Sequence, residues 1–181
     1  AQEGMGIEGV TGVPCVRFEG DARGYTIAEA VALVRPRRVV MTFGTNNAGG
    51  KFTCEEFISL YADAVDALQQ AAPDCDIIVN AIPPVGEVRS YPDVTMDRID
   101  EFNDALEAFC QKRHLPFLNS AQALKGKNGF AKPAYVIEDG LHMSEAGLEL
   151  LMQYLREHPL ATRRQSVAHS GAPQRSPPDF S

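Results

Sequence analysis

The sequence is short of several things, and each shortage excludes a class of function. Its four cysteines, Cys15, Cys54, Cys75 and Cys110, stand far apart with no Cys-x-x-Cys pair. Zinc sites and thioredoxin-type redox pairs are therefore unsupported, and reduced, partly buried thiols are the expectation. No run approaches the roughly 20 apolar residues needed to span a bilayer. The opening AQEGMGIEG lacks both the basic and the apolar part of a signal peptide. The chain also begins without Met, so any targeting segment is expected upstream and the compartment stays open. Positive charge is scarce: residues 161–181 hold three Arg and one Asp, which leaves 14 basic against 23 acidic side chains in residues 1–160, a net charge of −9. Nucleic-acid binding needs a basic face to meet phosphates, and the acidic balance argues against it.

What is present is enough for one domain. The 181 residues are 44% hydrophobic, sufficient for a sizeable core. Three short apolar runs closed by polar or turn residues are predicted as buried parallel strands: Arg38–Phe43, Asp76–Ala81 and Leu115–Asn119. Helical patterns separate them. Thr26-Ile-Ala-Glu29 and Thr53-Cys-Glu-Glu56 fit the capping box, in which hydroxyl and carboxylate satisfy the free N–H groups of a helix start. Phe57, Leu60, Tyr61, Ala64, Val65 and Leu68 form one apolar stripe at helical spacing. Met96, Ile99, Phe102, Leu106 and Phe109 form a second, and Leu148, Leu151, Met152 and Leu155 a third.

Strands alternating with helices predict an α/β domain with a mainly parallel sheet and its active site at the carboxyl ends of the strands. Residues 82–95 and 125–137 are the longer loops, placed to wall a cleft. From about residue 160 the composition turns to Ser, Pro, Gly, Gln and Arg without periodicity. The expected division is a domain over 1–160 and a disordered tail over 161–181.

Two segments carry chemistry. Strand 38–43 runs into Gly44-Thr45-Asn46-Asn47. A side-chain amide at a strand's carboxyl end can donate to charge developing on a bound carbonyl, although Gly and Asn also build ordinary turns. Glu138-Asp-Gly-Leu-His142 puts a carboxylate three residues before a histidine, with Ser144 placed to cap the helix that follows. A carboxylate accepting the imidazole Nδ1–H leaves Nε2 free to take a proton. The alternative is a surface His beside a solvated Asp.

In this order the two segments resemble blocks III and V of the SGNH, or GDSL, hydrolases. The resemblance covers roughly residues 1–158. It implies a flavodoxin-like three-layer α/β/α sandwich and ester or acyl hydrolysis through a Ser-His-Asp triad, with no cofactor and no metal. It also implies Asn46 as an oxyanion donor, His142 as general base and Asp139 as its orienting carboxylate. The fourth block III residue, usually Asp, is here Asn47, a change expected to act on loop geometry. EGMGIEGVTG, Glu3–Gly12, is similar to block II, whose glycine N–H is a second oxyanion donor. Gly4 is the first choice there and Gly6 the second. The resemblance slightly favours an extracellular or cell-envelope location, which the sequence itself leaves open.

The nucleophile is what remains missing. Block I, Gly-Asp-Ser after the first strand, has no counterpart: Gly20-Asp21-Ala22 lacks the hydroxyl and follows the block II-like loop. There is no Gly-x-Ser-x-Gly elbow. Ser59, Ser90, Ser120 and Ser144 fall where solvent or helix caps suit them, and Ser166, Ser170, Ser176 and Ser181 lie in the tail. Cys54 at a helix N-terminus is the one thiol whose pKa could be lowered. The expectation is a serine upstream of residue 1, with the first strands of the fold, and a chain inactive as given. The 38–43 strand would then be an open edge through which the chain self-associates. The substrate is expected to be a small-molecule or carbohydrate ester. Acyl transfer to a sugar hydroxyl and a non-catalytic carbohydrate- or acyl-binding module are the alternatives, and a flavodoxin-like phosphate binder lacks its glycine-rich loop.

Overall fold

A computed structural model describes residues 5–50 and 52–158, so residues 1–4, residue 51 and the segment 159–181 lie outside it. In chain order the elements are helix α1 (Gly9–Gly12), α2 (Ile27–Val34), strand β1 (Arg38–Met41), α3 (Thr45–Ala48), α4 (Cys54–Ala71), β2 (Asp76–Asn80), α5 (Met96–Arg113), β3 (Phe117–Leu118), α6 (Ala121–Leu124), a 3-10 turn (Pro133–Tyr135) and α7 (Glu145–Glu157). The three strands are parallel in the order β1-β2-β3, with Arg38 opposite Asp76, Met41 opposite Val79, and Asn80 opposite Leu118. The result is an α/β fold with a parallel sheet.

Local chemistry fixes the helix starts. Thr26 and Thr53 each accept from the N–H of the glutamate three residues on, and Glu29 and Glu56 return the bond to the threonine N–H. Thr95 and Ser144 cap α5 and α7 through single bonds from Arg98 N and Gly147 N. The stripes on α4 and α5 bury as their spacing predicts. Phe57, Tyr61, Val65, Leu68, Ile99, Phe102, Leu106 and Phe109 join Met41, Ile77 and Val79 of the sheet in one core, with the Phe57 and Phe102 rings stacked 4.3 Å apart. Of the α7 stripe only Leu151 is buried, while Leu148 and Met152 each keep 49% of their surface exposed. Helical spacing marks a face, but what covers that face depends on the neighbours.

The strands are shorter than their apolar runs. At the end of β2 the N–H of Ala81 turns to the Leu118 carbonyl, and Ile82-Pro83-Pro84 follows, where two residues have no N–H to extend a ladder. Leu115 and Pro116 stay outside β3 as named, although the Pro116 carbonyl still accepts from Val79 N. The central β2 is buried on both faces, as Ile77, Ile78 and Val79 show. Among the described residues β1 pairs with β2 alone. In a strand the N–H and C=O of one residue point the same way and alternate along the chain. Asp76 N donates to the Arg37 carbonyl, so Val39 and Met41 also face β2 and the backbone of Val40 faces the open side; Val40 as a residue is 37% exposed.

Candidate active site

The Gly44–Asn47 segment forms the short helix α3 just past the carboxyl end of β1. Its two amides both reach back about 40 residues to one strip of chain. Asn46 is exposed and donates from Nδ2 to the Met5 carbonyl at 2.9 Å. Asn47 is 1% exposed. Its Oδ1 accepts from Ile7 N at 3.1 Å, and its Nδ2 donates to Glu8 Oε2 at 3.0 Å. Segment 5–8, the block II-like loop, is thereby tied to the block III-like loop. Gly4 lies outside the described residues. Gly6 is buried beside Glu8 and Asn47, and its carbonyl accepts from Gly9 N.

The Asp139–His142 segment lies in a tight loop closed by an antiparallel bridge between Val136 and Met143. Ile137 N donates to the His142 carbonyl, and Gly140 N to the Ile137 carbonyl, both at 2.9 Å. Within it Asp139 collects three donors. Oδ1 accepts from Leu141 N at 2.8 Å and His142 N at 3.0 Å, and Oδ2 lies 2.6 Å from His142 Nδ1. Partial burial pushes the Asp139 carboxyl pKa up, but the bonds from the His142 ring and from the two backbone N–H groups outweigh it and hold the carboxyl below its ordinary value. Asp139 is thus ionised at neutral pH, and a carboxylate can only accept, so Nδ1 carries the proton. His142 Nε2 has no hydrogen-bond partner among the described residues.

Sequence spacing did not reveal what holds this loop. Gly86 N donates to the Gly140 carbonyl at 2.7 Å and Ser90 N to the Asp139 carbonyl at 2.9 Å. Arg89 Nη1 donates to the carbonyls of Gly86 and Glu87, which keeps the buttressing loop compact. That loop continues from the carboxyl end of β2, so Asp139 sits at the same end of the sheet as Asn46. The two longer loops meet there: Ala131 N donates to the Val85 carbonyl. They enclose a cleft of about 480 Å³ lined by Val88, Ala131, Pro133, Val136, Ile137 and Glu138.

The other candidates separate on geometry. Cys54 does not gain a reactive thiol: burial, with Glu101 nearby, raises its pKa, and Sγ points to the Glu101 carbonyl. Its place at a helix start is overridden by an apolar, acidic neighbourhood. Asp21 bonds Tyr25 Oη and Arg23 N as part of a surface turn. Ser144 Oγ donates to the Ala134 carbonyl and accepts from Gly147 N. Ser120 does not cap α6 and is 1% exposed, so of the serines assigned to solvent or caps it is the one that suits neither. Among the described residues no group of three or more His, Cys, Asp or Glu could hold a metal ion, and no helix is long and apolar enough to cross a membrane.

The family model described as "GDSL-like Lipase/Acylhydrolase family" matches residues 5–150. No curated protein sequence matches the chain. Among solved structures it is similar to a provisionally assigned platelet activating factor from Streptococcus pneumonia, with TM-score 0.62 and 20% identity over 82% of this chain and 78% of that one. A lipase/acylhydrolase from Enterococcus faecalis gives TM-score 0.60 and 23% identity over 72% of this chain and 65% of that one. A carbohydrate esterase family 3 protein from Talaromyces cellulolyticus gives 0.61 and 20% over 84% and 65%. At these identities the likeness is one of fold. The chain spans just under two thirds of the length of the last two.

Proposed function

Because the chain belongs to the GDSL-like lipase/acylhydrolase family, we propose that its site hydrolyses esters through an acyl-enzyme, with His142 as general base, Asp139 as its orienting carboxylate and Asn46 as an oxyanion donor. The observation that carries this reading is the 2.6 Å contact between His142 Nδ1 and Asp139 Oδ2, which fixes the tautomer and leaves Nε2 free to accept a proton. A serine Oγ attacks the ester carbonyl carbon, and its proton passes to Nε2. Charge collects on the carbonyl oxygen, where the Asn46 amide and a glycine N–H of the block II-like loop, Gly4 in this proposal, stabilise it. His142 then returns the proton to the departing alcohol, and water repeats the sequence on the acyl-enzyme.

The attacking serine is proposed to lie upstream of residue 1, on a parallel strand beside β1. Two observations support this. Ser144 is committed to its cap and Ser120 is buried, and the Val40 backbone faces a side of the sheet that no described strand occupies. The test compares two polypeptides. The 181-residue chain should hydrolyse p-nitrophenyl acetate no faster than its His142→Ala variant and should resist fluorophosphonate labelling, since base and oxyanion donors without a nucleophile retain little catalysis. The chain extended by its upstream coding sequence should be labelled at one serine. In that form His142→Ala should lower kcat by several orders of magnitude, and Asn46→Ala by about 10²–10³. Stoichiometric labelling of a serine in the 181-residue chain, or an unchanged kcat for Asn46→Ala, overturns the assignment.

A further inference from the structure

We propose that Asn47 and Glu8 form a positioning pair that aims the Asn46 amide, and that their identities are coupled: an amide at 47 requires a carboxylate at 8. This rests on the proposed role of Asn46, but the pair can be measured without catalysis. Asn46 has two N–H groups on Nδ2 and gives one to the Met5 carbonyl, so the direction of the other is set by where segment 5–8 lies. That segment is held by its neighbour, because Asn47 binds Ile7 N and Glu8 Oε2 with opposite ends of one amide. Asn47 is 1% exposed, and losing either partner would leave a buried polar atom unsatisfied.

The local geometry leaves little slack. A Cβ at Gly6 would lie 2.4 Å from Glu8 Oε2 and 2.8 Å from Asn47 Nδ2, so the chain passes the pair only because position 6 has no side chain. An aspartate at 47 could still accept from Ile7 N, yet it would set a second carboxylate against Glu8 where an N–H donor now stands. An aspartate facing a glutamine would again pair one donor with one acceptor in each contact, its two oxygens accepting from Ile7 N and from the glutamine Nε2–H. The carboxylate the family usually carries at the fourth block III position is, in this chain, supplied from across the contact by Glu8.

The test uses the 181-residue chain labelled with ¹⁵N. Asn47→Asp should lower the exchange protection of the Ile7 amide by about tenfold, the scale of one hydrogen bond, and should move the Asn46 side-chain amide resonances. Adding Glu8→Gln should bring both back, while α4 and α5 amides stay unchanged throughout. Glu8→Ala, a change at an exposed residue, serves if Asn47→Asp does not fold, and should also move the Asn46 amide signal. In the extended, active form Asn47→Asp should lower kcat with KM unchanged, and Glu8→Gln should restore kcat. A double variant no better than Asn47→Asp, or an Asn46 signal indifferent to Asn47→Asp and to Glu8→Ala, refutes the pair. An inert Asn46→Ala in the extended form would refute the catalytic assignment and leave the pair's rescue standing.

Discussion

Replacing Gly140 by alanine tests how the Asp139–His142 loop is held, and the cost can be worked from the geometry. Gly140 has φ +68°, in the left-handed region, where a Cβ costs about 1–2 kcal/mol. The added carbon would also meet the Val88 carbonyl oxygen at 2.1 Å and Arg89 Cα at 2.9 Å. Both are backbone, so no side-chain rotation relieves them, and the 86–90 loop must move away. That movement breaks the bonds from Gly86 N to Gly140 O and from Ser90 N to Asp139 O, each worth about 0.5–1.5 kcal/mol net. Gly140→Ala should therefore destabilise by about 2–5 kcal/mol. Gly129 supplies a matched control: its φ is +85°, yet a Cβ there would meet nothing within 4 Å. Gly129→Ala should cost only the backbone share, about 1–2 kcal/mol. Urea unfolding of the two variants and the parent, read as midpoint shifts at constant slope, isolates the close approach. If Gly140→Ala cost no more than Gly129→Ala, the 86–90 loop would not be the support described here.

Two further outcomes are expected. The Asp139 carboxyl is held below its unfolded value of about 3.9 by its three donors, so its stabilising contribution is present above that pH and is lost as the pH falls through the folded value. The stability gap between the parent and Asp139→Asn should shrink on acidification from pH 6 to below 4, and a gap that widens would contradict this. The open side of β1, with Val40 exposed, should make the 181-residue chain self-associate, and Val40→Lys should return it toward monomer in size-exclusion chromatography without loss of helicity. A parent that elutes as a monomer across a wide concentration range would refute that expectation.

Whatever depends on neighbours along the chain was fixed by sequence alone. The capping boxes at Thr26 and Thr53 are four-residue devices, and both close. The stripes on α4 and α5 are set by helical period and become the core. The Asp139–His142 contact spans three residues of one loop, so its spacing was legible before any fold was known. The strand cores were legible too, whereas their ends depended on Pro83, Pro84 and Pro116 and on how far each neighbour could extend a ladder. Tertiary structure alone decided the rest, because those contacts join segments distant in the chain. It set the Val88 carbonyl against Gly140, brought Asn47 to Ile7 and Glu8, and partly buried Cys54 beside Glu101 so that its thiol pKa is raised rather than lowered. It also decided which apolar faces are covered, burying α4 and α5 while leaving Leu148, Met152 and Val40 partly in solvent. Periodicity says that a face is apolar, but only packing says what meets it, since burial is a property of two surfaces and the sequence of one helix describes a single one of them.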